Sequence, residues 1–259
     1  MSKNALIGAS GFVGGNIFRQ GEFNSAFTSA NIQEIKNRTF DIVVCAGARA
    51  EKWKANLDPD SDRTNIENLI SNLRQLTAKK FVLISTVDVY PESLGVDEAT
   101  QISSEMLAPY GKHRFYLEEF TRAQFPNHTI IRLPGLIGAG LKKNFIFDML
   151  HNQEALSLTH YKSAYQFYSL ETVWEDIKLI LHHGVNLVNF ATPPLTVGEI
   201  AAECFGTTFE NVSAQPPVTY DMHTGFSWIF NQNGNYIWSR EKEVDSIKEF
   251  IKSERNSQK

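Results

Sequence analysis

The chain has 259 residues and a formal net charge of -4, from 25 lysines and arginines against 29 aspartates and glutamates. This balance provides no basic patch for nucleic acid, so we expect no nucleic-acid partner. No apolar run is long enough to span a membrane, and the first residues lack a charged-then-apolar secretory pattern. The 2 cysteines cannot build a disulfide framework, and no zinc-type spacing occurs. We therefore expect a cytoplasmic protein with no membrane association and no metal site.

Short apolar runs alternate with helical patterns along the chain, which predicts a mostly parallel sheet covered by helices. The predicted strands cover residues 4–7, 41–45, 80–85, 129–133 and 187–190. The predicted helices between them cover residues 13–23, 63–77 and 110–125. This order is typical of an α/β fold of the Rossmann type, a doubly wound parallel sheet.

A glycine triplet follows the first predicted strand and opens the first predicted helix. Gly8 allows a tight turn, Gly11 lets backbone amides approach a pyrophosphate, and Gly14 lets the helix pack closely on the strand. A phosphate placed there meets free N–H groups and the positive end of the helix dipole. The position and both flanks favour a dinucleotide site over a turn that uses glycine only for its geometry.

The stretch between residues 23 and 41 is short for this architecture. Residues 25–29 are predicted as a second strand and residues 31–36 as a remnant of a helix. A Rossmann fold usually carries an acidic residue about 20 residues past the glycine loop, on the ribose hydroxyls. That neighbourhood offers Thr28, Ser29 and Asn31 instead. The sequence therefore leaves both NAD and NADP open.

The pattern changes from Gly135 onward. A glycine-punctuated loop leads to the polar residues Lys142, Lys143 and Asn144, and helices are predicted over residues 145–151, 170–182, 197–204 and 241–252. We expect residues 1–134 to form the dinucleotide-binding domain, with part of 165–195 returning to it. Residues 135–259 are expected to form a small C-terminal substrate lobe.

Two segments carry groups that can do chemistry. The strand over residues 80–85 ends at Ser85, and Thr86 and Asp88 follow it. Ligands of open parallel sheets bind beyond the carboxyl ends of the strands, so these hydroxyls are expected to face a cofactor. In the other segment, Tyr110 and Arg114 lie one helical turn apart on the same face. A neighbouring cation favours the phenolate, so this tyrosine can exchange a proton with a sugar hydroxyl while hydride moves.

Together these motifs resemble the extended short-chain dehydrogenase/reductases, which include nucleotide-sugar epimerases, dehydratases and reductases. The glycine loop is similar to that family's nucleotide loop, and Ser85-Thr86 followed by Tyr90 is similar to its serine/threonine segment. The resemblance implies an NAD or NADP cofactor held by Gly8, Ser10, Gly11, Phe12, Val13, Gly14, Cys45, Ala46, Gly47, Asn65, Ser85, Tyr110, Arg114 and Leu133.

The resemblance also implies the catalytic roles of three residues. Thr86 would hydrogen-bond a substrate carbonyl, and Tyr110 would protonate the alkoxide. The family's catalytic helix carries Tyr-x-x-x-Lys, and here Arg114 takes the place of the lysine. Arginine keeps the charge that binds ribose and stabilises phenolate, but it is a planar fork and cannot relay a proton.

Within the family, the short second βα unit and the Ser85-Thr86 segment resemble the reductases of nucleotide-linked 4-keto-6-deoxy sugars. A dehydratase is disfavoured, because Val87 and Asp88 stand where the Asp-Glu pair of such enzymes follows the catalytic threonine. A UDP-sugar epimerase is less favoured, because Gly135 stands where an asparagine often contacts the sugar nucleotide. An epimerase and a protein that binds NAD(P) without catalysis remain alternatives.

The expected partner is a nucleotide-sugar substrate. Its predicted contacts are Asp88, Lys142, Lys143, Asn144 and Gln166. Relatives often dimerise through helices equivalent to residues 63–77 and 110–125. Phe115, Tyr116 and Phe120 in the second of these helices could serve such a contact or the core, which leaves a homodimer open.

Overall fold

The computed structural model describes residues 3–151 and 153–257. The strands are β1 (Asn4–Ile7), β2 (Ser25–Phe27), β3 (Thr39–Cys45), β4 (Thr77–Thr86), β5 (Leu94–Val96), β6 (His128–Leu133), β7 (Gly135–Ile137), β8 (Ala164–Tyr165), β9 (Phe167–Ser169), β10 (Leu187–Asn189), β11 (Leu195–Thr196) and β12 (Asp221–Met222). The helices are α1 (Phe12–Gln20), α2 (Lys52–Leu57), α3 (Pro59–Leu73), α4 (Pro109–Gln124), α5 (Phe145–His151), α6 (Val173–His182), α7 (Val197–Ile200) and α8 (Arg240–Ser257).

A parallel sheet of six strands has the order β10-β6-β4-β3-β1-β2, which confirms the predicted Rossmann-type fold. From β1 the chain crosses to β2 at one side, and β3 then returns to the other side of β1. Right-handed crossovers in opposite directions place α1 and α3 on opposite faces of the sheet. The order therefore reverses between β1 and β3, where Ile7 lies beside Cys45.

Contacts between Cα atoms divide the chain into two units. The first combines the stretch through Glu92 with Ala99–Arg132 and Thr172–Val188. The second combines Ser93–Glu98, Leu133–Glu171 and the stretch from Asn189 onward. Helix α6 thus belongs to the first unit, although it follows much of the second in sequence. Among the described residues, no helix has both the length and the apolar character needed to cross a bilayer.

Local sequence accounts for where the elements of the first unit begin and end. Helix α1 stops at Gln20, earlier than the predicted residue 23, because Gly21 is extended. Helix α3 starts at Pro59, ahead of the predicted residue 63, because the Asp58 side chain accepts a hydrogen bond from the Ser61 N–H and caps the helix. The predicted remnant helix over residues 31–36 is a short 3-10 turn, Ile32–Ile35.

Apolar side chains of α3 and α4 pack on one face of this sheet. Ile66, Ile70 and Leu73 from α3 are buried with Leu117 from α4, and each contributes about 1.5–3 kcal/mol by leaving water. Phe81 of β4 stacks on Phe125 with ring centroids 4.0 Å apart. This packing fixes α4 against β4 and so determines where the residues at the start of α4 lie.

The second unit has its own core and three short strand pairs. Strands β7 and β9 are parallel, β5 and β12 are parallel, and β8 and β11 are antiparallel. Glu98 anchors this unit, because its carboxylate accepts bonds from the Asn189 N–H at 2.7 Å and the Thr224 hydroxyl at 2.6 Å. Helix α7 carries a capping box between Thr196 and Glu199 and continues as a π-helical turn, Ala201–Phe205.

Candidate functional site

The glycine loop connects β1 to α1 with no room for side chains at two positions. Gly8 has φ +84, and a Cβ there would lie 2.3 Å from the Ala46 carbonyl oxygen. A Cβ on Gly14 would lie 2.0 Å from the Gly8 carbonyl oxygen. Both positions therefore require glycine, and the loop packs against the ends of both β1 and β3.

The N-terminus of α1 is open to a ligand. Gly11 is the residue that precedes the helix, it is exposed, and no side chain caps the first turn. Ser10 beside it is also exposed, while Phe12 and Val13 are half-buried. N–H groups at such a helix start, next to the sheet's switch point between β1 and β3, form a binding place for a pyrophosphate.

The end of β3 closes the other side of this loop. The Ala46 N–H donates to the Ile7 carbonyl at 2.9 Å, which continues the ladder past the last strand residue. Burial raises the pKa of the Cys45 thiol to about 11, so it stays protonated and is not a nucleophile. A Cβ on Gly47 would lie 3.0 Å from the Ile7 side chain. This strand end supplies backbone surface and no reactive group.

Thr86 and Tyr110 are brought together by close packing of two backbones. A Cβ on Gly111 would lie 1.9 Å from the Asp88 carbonyl oxygen, so the start of α4 rests directly on the turn after β4. The Thr86 hydroxyl hydrogen-bonds the Tyr110 phenol. Thr86 Oγ1 also accepts from the Asp88 N–H at 3.2 Å. The two hydroxyls predicted to be catalytic are therefore partners.

The phenol of Tyr110 is held in its protonated form. Burial raises its pKa above the ordinary value, and the negative charge of Asp88 adds to this rise. Arg114, Thr86 and Lys52 oppose the rise without cancelling it. At neutral pH the group is a proton donor.

Arg114 lies beneath Tyr110 and is bound to other buried groups. Its guanidinium carbon is 4.1 Å from the Tyr110 ring centroid, a cation–π contact with the face of the ring. The guanidinium donates to the Asp62 carboxylate and to the Arg49 carbonyl oxygen. Asp62 also contacts His113 Nδ1 at 2.7 Å, and all three side chains are buried. Binding of ribose by Arg114 stays a prediction.

Ser85 belongs to a second buried cluster, centred on Glu118. Its hydroxyl donates to Glu118 Oε1 at 2.6 Å. Glu118 is completely buried and also accepts from Arg132 Nε at 3.0 Å and Nη2 at 2.7 Å, and from Arg122 at 2.9 Å. Arg132 in turn donates to the Tyr90 hydroxyl at 2.7 Å. A cofactor contact of Ser85 stays a prediction, since its donor is already used.

The short helix α2 adds two residues that sequence reasoning missed. Lys52 Nζ lies 2.6 Å from Asp88 Oδ1, and Asn56 Oδ1 accepts the Tyr110 N–H at 3.0 Å. Lys52 and Asn56 are one helical turn apart and so share a face. Their partners are 36 and 54 residues away, so only an α-helical spacing within α2 itself could have indicated them.

The two remaining predicted cofactor contacts are Asn65 and Leu133. On α3, the Asn65 side chain donates to the Ser61 carbonyl at 2.8 Å and is half-buried. Leu133 ends β6 and is 3 % exposed. Neither observation tests cofactor binding, so a cofactor contact of Asn65 or Leu133 stays a prediction.

The predicted substrate residues of the second unit have different surroundings. Lys142 and Lys143 are exposed. Asn144 starts α5, because its side chain accepts the Phe147 N–H at 2.9 Å. Gln166 is 1 % exposed, and its amide exchanges bonds of 2.8 Å with both backbone groups of Met222. The amide groups of Asn144 and Gln166 thus hold the fold, and the two lysines face solvent, with the charge of Lys143 also acting on Asp148.

The sequence matches the NAD dependent epimerase/dehydratase family over residues 22–170, more than half of the chain. The chain belongs to this family. Membership confirms the resemblance to the extended short-chain dehydrogenase/reductases, so the protein is an NAD(P)-dependent oxidoreductase or epimerase by class, with NAD or NADP as its cofactor. No curated protein matches the sequence at a significant level.

Solved structures of nucleotide-sugar enzymes share the fold. A dTDP-4-dehydrorhamnose reductase of Clostridium acetobutylicum is 16% identical with a TM-score of 0.74, over 98% of this chain and 99% of that one. A UDP-glucose 4-epimerase of Thermotoga maritima with UDP-glucose is 15% identical with a TM-score of 0.74, over 99% and 100%. The dTDP-4-dehydrorhamnose reductase of Bacillus anthracis in complex with NADP is 15% identical with a TM-score of 0.73, over 98% and 99%.

The residues present at the β1–α1 turn fit a dinucleotide. The matched region begins after the glycine loop, so this assignment depends on the loop's own geometry. Gly8 and Gly14 leave no room for a Cβ, and Gly11 stands exposed at an uncapped helix start. Backbone N–H groups of this turn would hold the pyrophosphate. Bound there, the group supplies hydride chemistry at its nicotinamide.

Proposed function

We propose that the protein is an NAD(P)H-dependent reductase of a nucleotide-linked 4-keto-6-deoxy sugar. The observation that carries this proposal is the Thr86–Tyr110 pair with its phenol kept protonated by burial. A reductase delivers a proton to the alkoxide in each turnover, so it needs the acid form at rest. An epimerase begins by removing a proton from a sugar hydroxyl, so it benefits from a lowered tyrosine pKa.

The hydroxyl pair has a defined role at each stage of the proposed reduction. Thr86 donates a hydrogen bond to the substrate carbonyl oxygen and polarises it. As hydride adds to the carbonyl carbon, the C=O bond becomes a C–O⁻ group, and Tyr110 transfers its phenolic proton to that oxygen. The phenolate that remains is stabilised by Arg114, whose cation lies against the ring, until solvent restores the proton.

The nature of the substrate is proposed from the family and from the second unit. The similar structures include reductases of a dTDP-linked keto sugar and an epimerase bound to a UDP-sugar. We assign the exposed Lys142 and Lys143 to the diphosphate of such a nucleotide sugar. Lysine acts there as a point charge, which suits a diphosphate of either base.

Absorbance of the reduced nicotinamide tests this function directly. NADH and NADPH are first titrated, and nucleotide-linked 4-keto-6-deoxy sugars are then added with the more tightly bound cofactor. A reductase oxidises one cofactor per sugar reduced. Formation of an isomeric sugar with no net oxidation would instead identify an epimerase.

A second function is favoured by the surroundings of Arg114. The residue at the family's lysine position is buried and paired with Asp62, an arrangement that serves folding as well as it serves catalysis. A protein that binds NAD(P) and does not catalyse fits this observation. Micromolar cofactor binding, combined with no turnover of any keto or hydroxy nucleotide sugar, would support it over the reductase.

A further inference from the structure

The cation under Tyr110 is paired with a buried carboxylate. In a Tyr-x-x-x-Lys helix the cation at the fourth position is the group that acts on the phenol, and here Arg114 occupies that position. Its guanidinium contacts the ring face and donates to the Asp62 carboxylate. Asp62 carries the opposite charge and also contacts His113 Nδ1 at 2.7 Å. Arg114 lowers the pKa of the phenol, but burial raises it by more.

A second cation approaches the same phenol from a different element. Lys52, the first residue of α2, pairs with Asp88 at 2.6 Å. Asp88 in turn accepts from the Thr86 hydroxyl at 3.4 Å, and Thr86 hydrogen-bonds Tyr110. The ammonium of Lys52 therefore stands at the end of a chain of contacts that leads to the reacting hydroxyl.

Helix α2 is attached to the site at two points, which holds Lys52 in place. Asn56, one turn after Lys52, accepts the Tyr110 N–H at 3.0 Å and so caps the start of α4. Trp53 and Leu57 alternate with these residues and are 57% and 78% exposed. The face of α2 that carries Lys52 and Asn56 is thus the one turned to the site.

We propose that Lys52 is a positioning residue of this site: through its pair with Asp88 it offsets the carboxylate beside Thr86, and it adds a second positive charge near Tyr110 to that of Arg114. The role in turnover rests on the proposed reductase function. The electrostatic role does not, because it concerns the phenol of the protein alone.

The charges that face Tyr110 determine the direction in which removal of Lys52 shifts the pKa of the phenol. Arg114 and Lys52 lower the pKa of the phenol, and Asp88 raises it. Without Lys52, the Asp88 carboxylate acts on the phenol with no counter-charge, so two effects add in the same direction. Since the Lys52 side chain is 45% exposed, solvent screens the interaction, and we expect a shift of about half a pH unit to one unit.

The test is a phenol titration in the protein without substrate. A fluorinated tyrosine is placed at Tyr110, so that the phenol titrates within the stable pH range, and phenolate is read from its absorbance. Lys52→Met should raise the pKa by about half a unit to one unit, and Lys52→Arg should restore it. Lys54→Met is the matched control, because Lys54 lies on the same helix and pairs with Glu51; it should leave the pKa in place.

Asp88→Asn tests whether Lys52 acts on the Tyr110 phenol through Asp88. With this substitution the pKa should fall, and adding Lys52→Met should then change it less than in the parent protein. An unchanged pKa in Lys52→Met, or an equal shift in Lys54→Met, would overturn the proposal. If the phenol titrates as expected but no keto sugar is reduced, the proposed function fails while the role of Lys52 stands.

Discussion

Helix α4 carries two buried charged clusters one turn apart, and they are built differently. Around Glu118, both carboxylate oxygens are paired with arginines, and no polar atom of this residue is left over. Around Arg114, the guanidinium has partners on one side, while its Nε is buried and finds no acceptor in the part of the chain that the structure describes. The comparison shows that one turn of α4 holds the helix to the sheet, and the preceding turn places a cation under the Tyr110 phenol.

The largest effect is expected at the Tyr110 phenol, in the cluster around Arg114. Tyr110→Phe removes the proton donor and should lower kcat by roughly 10²–10⁴-fold, while the cofactor still binds. Steady-state kinetics and a cofactor titration measure the two quantities. Tyr116→Phe is the control, because Tyr116 is on the same helix and its ring packs under Arg63. If Tyr110→Phe turns over at the parental rate, the tyrosine has no part in the reaction.

Changes in the cluster around Glu118 should alter the stability of the protein and not its reaction. Glu118→Gln leaves Arg132 buried without its counter-charge and should lower the free energy of unfolding by about 3–5 kcal/mol. Denaturant unfolding measures this loss, and the fraction that remains folded should keep its kcat. Glu119→Gln, on the exposed face of the same helix, should be nearly neutral. A small effect at Glu118 would mean that the two clusters do not differ in the way described.

A conservative exchange in each cluster sharpens the comparison. Arg114→Lys keeps the charge beside Asp62 but loses the bond to the Arg49 carbonyl, so we expect a cost of about 1 kcal/mol and a kcat within a few-fold of the parent. Arg122→Lys makes the same exchange at a residue that is 34% exposed and should change neither quantity measurably. Complete loss of activity in Arg114→Lys would give the guanidinium a catalytic role of its own.

The smallest effect is expected from pH. Burial raises the folded-state pKa of Tyr110, so the acid form persists to higher pH than in the unfolded chain. The stability from this group is fully present below the unfolded-chain pKa and is lost as pH rises from there through the raised value, whereas activity is lost at the raised value. A tyrosine ordinarily titrates near pH 10, so kcat should be flat with respect to this group between about pH 6 and pH 9. A fall of kcat with an apparent pKa near 7 would assign the proton donor to another group.

Much of the fold could be predicted because its signals are local. The strand over residues 4–7 and the helix over residues 145–151 appear with the predicted bounds. The end of α1 and the start of α3 lie a few residues from their predicted positions. Gly21 and the Asp58 cap determine these positions through local backbone conformation and single hydrogen bonds, which leave no periodic pattern in the sequence. Helix α2 was not predicted at all, since six residues are too short for an apolar period to show.

The candidate site was predictable to a smaller extent. The Gly8–Gly14 loop, Thr86 and Tyr110 could be named because the resemblance supplies motifs with a set spacing. The engagement of Asn144 and Gln166 by backbone groups could not be predicted, since an amide on a loop has the same local sequence signal whether it binds a ligand or the chain. The same holds for Asp62, whose partner Arg114 is 52 residues away.

The sequence by itself determined the cofactor turn and the reacting hydroxyls. Gly8 needs a positive φ and Gly14 needs the absence of a Cβ, and both are properties of single residues. Only the tertiary structure decided which cations act on Tyr110, because electrostatic interaction depends on distance through space. By that measure Arg114, paired with Asp62, acts from beneath the ring, and Lys52 from α2 joins the site through Asp88.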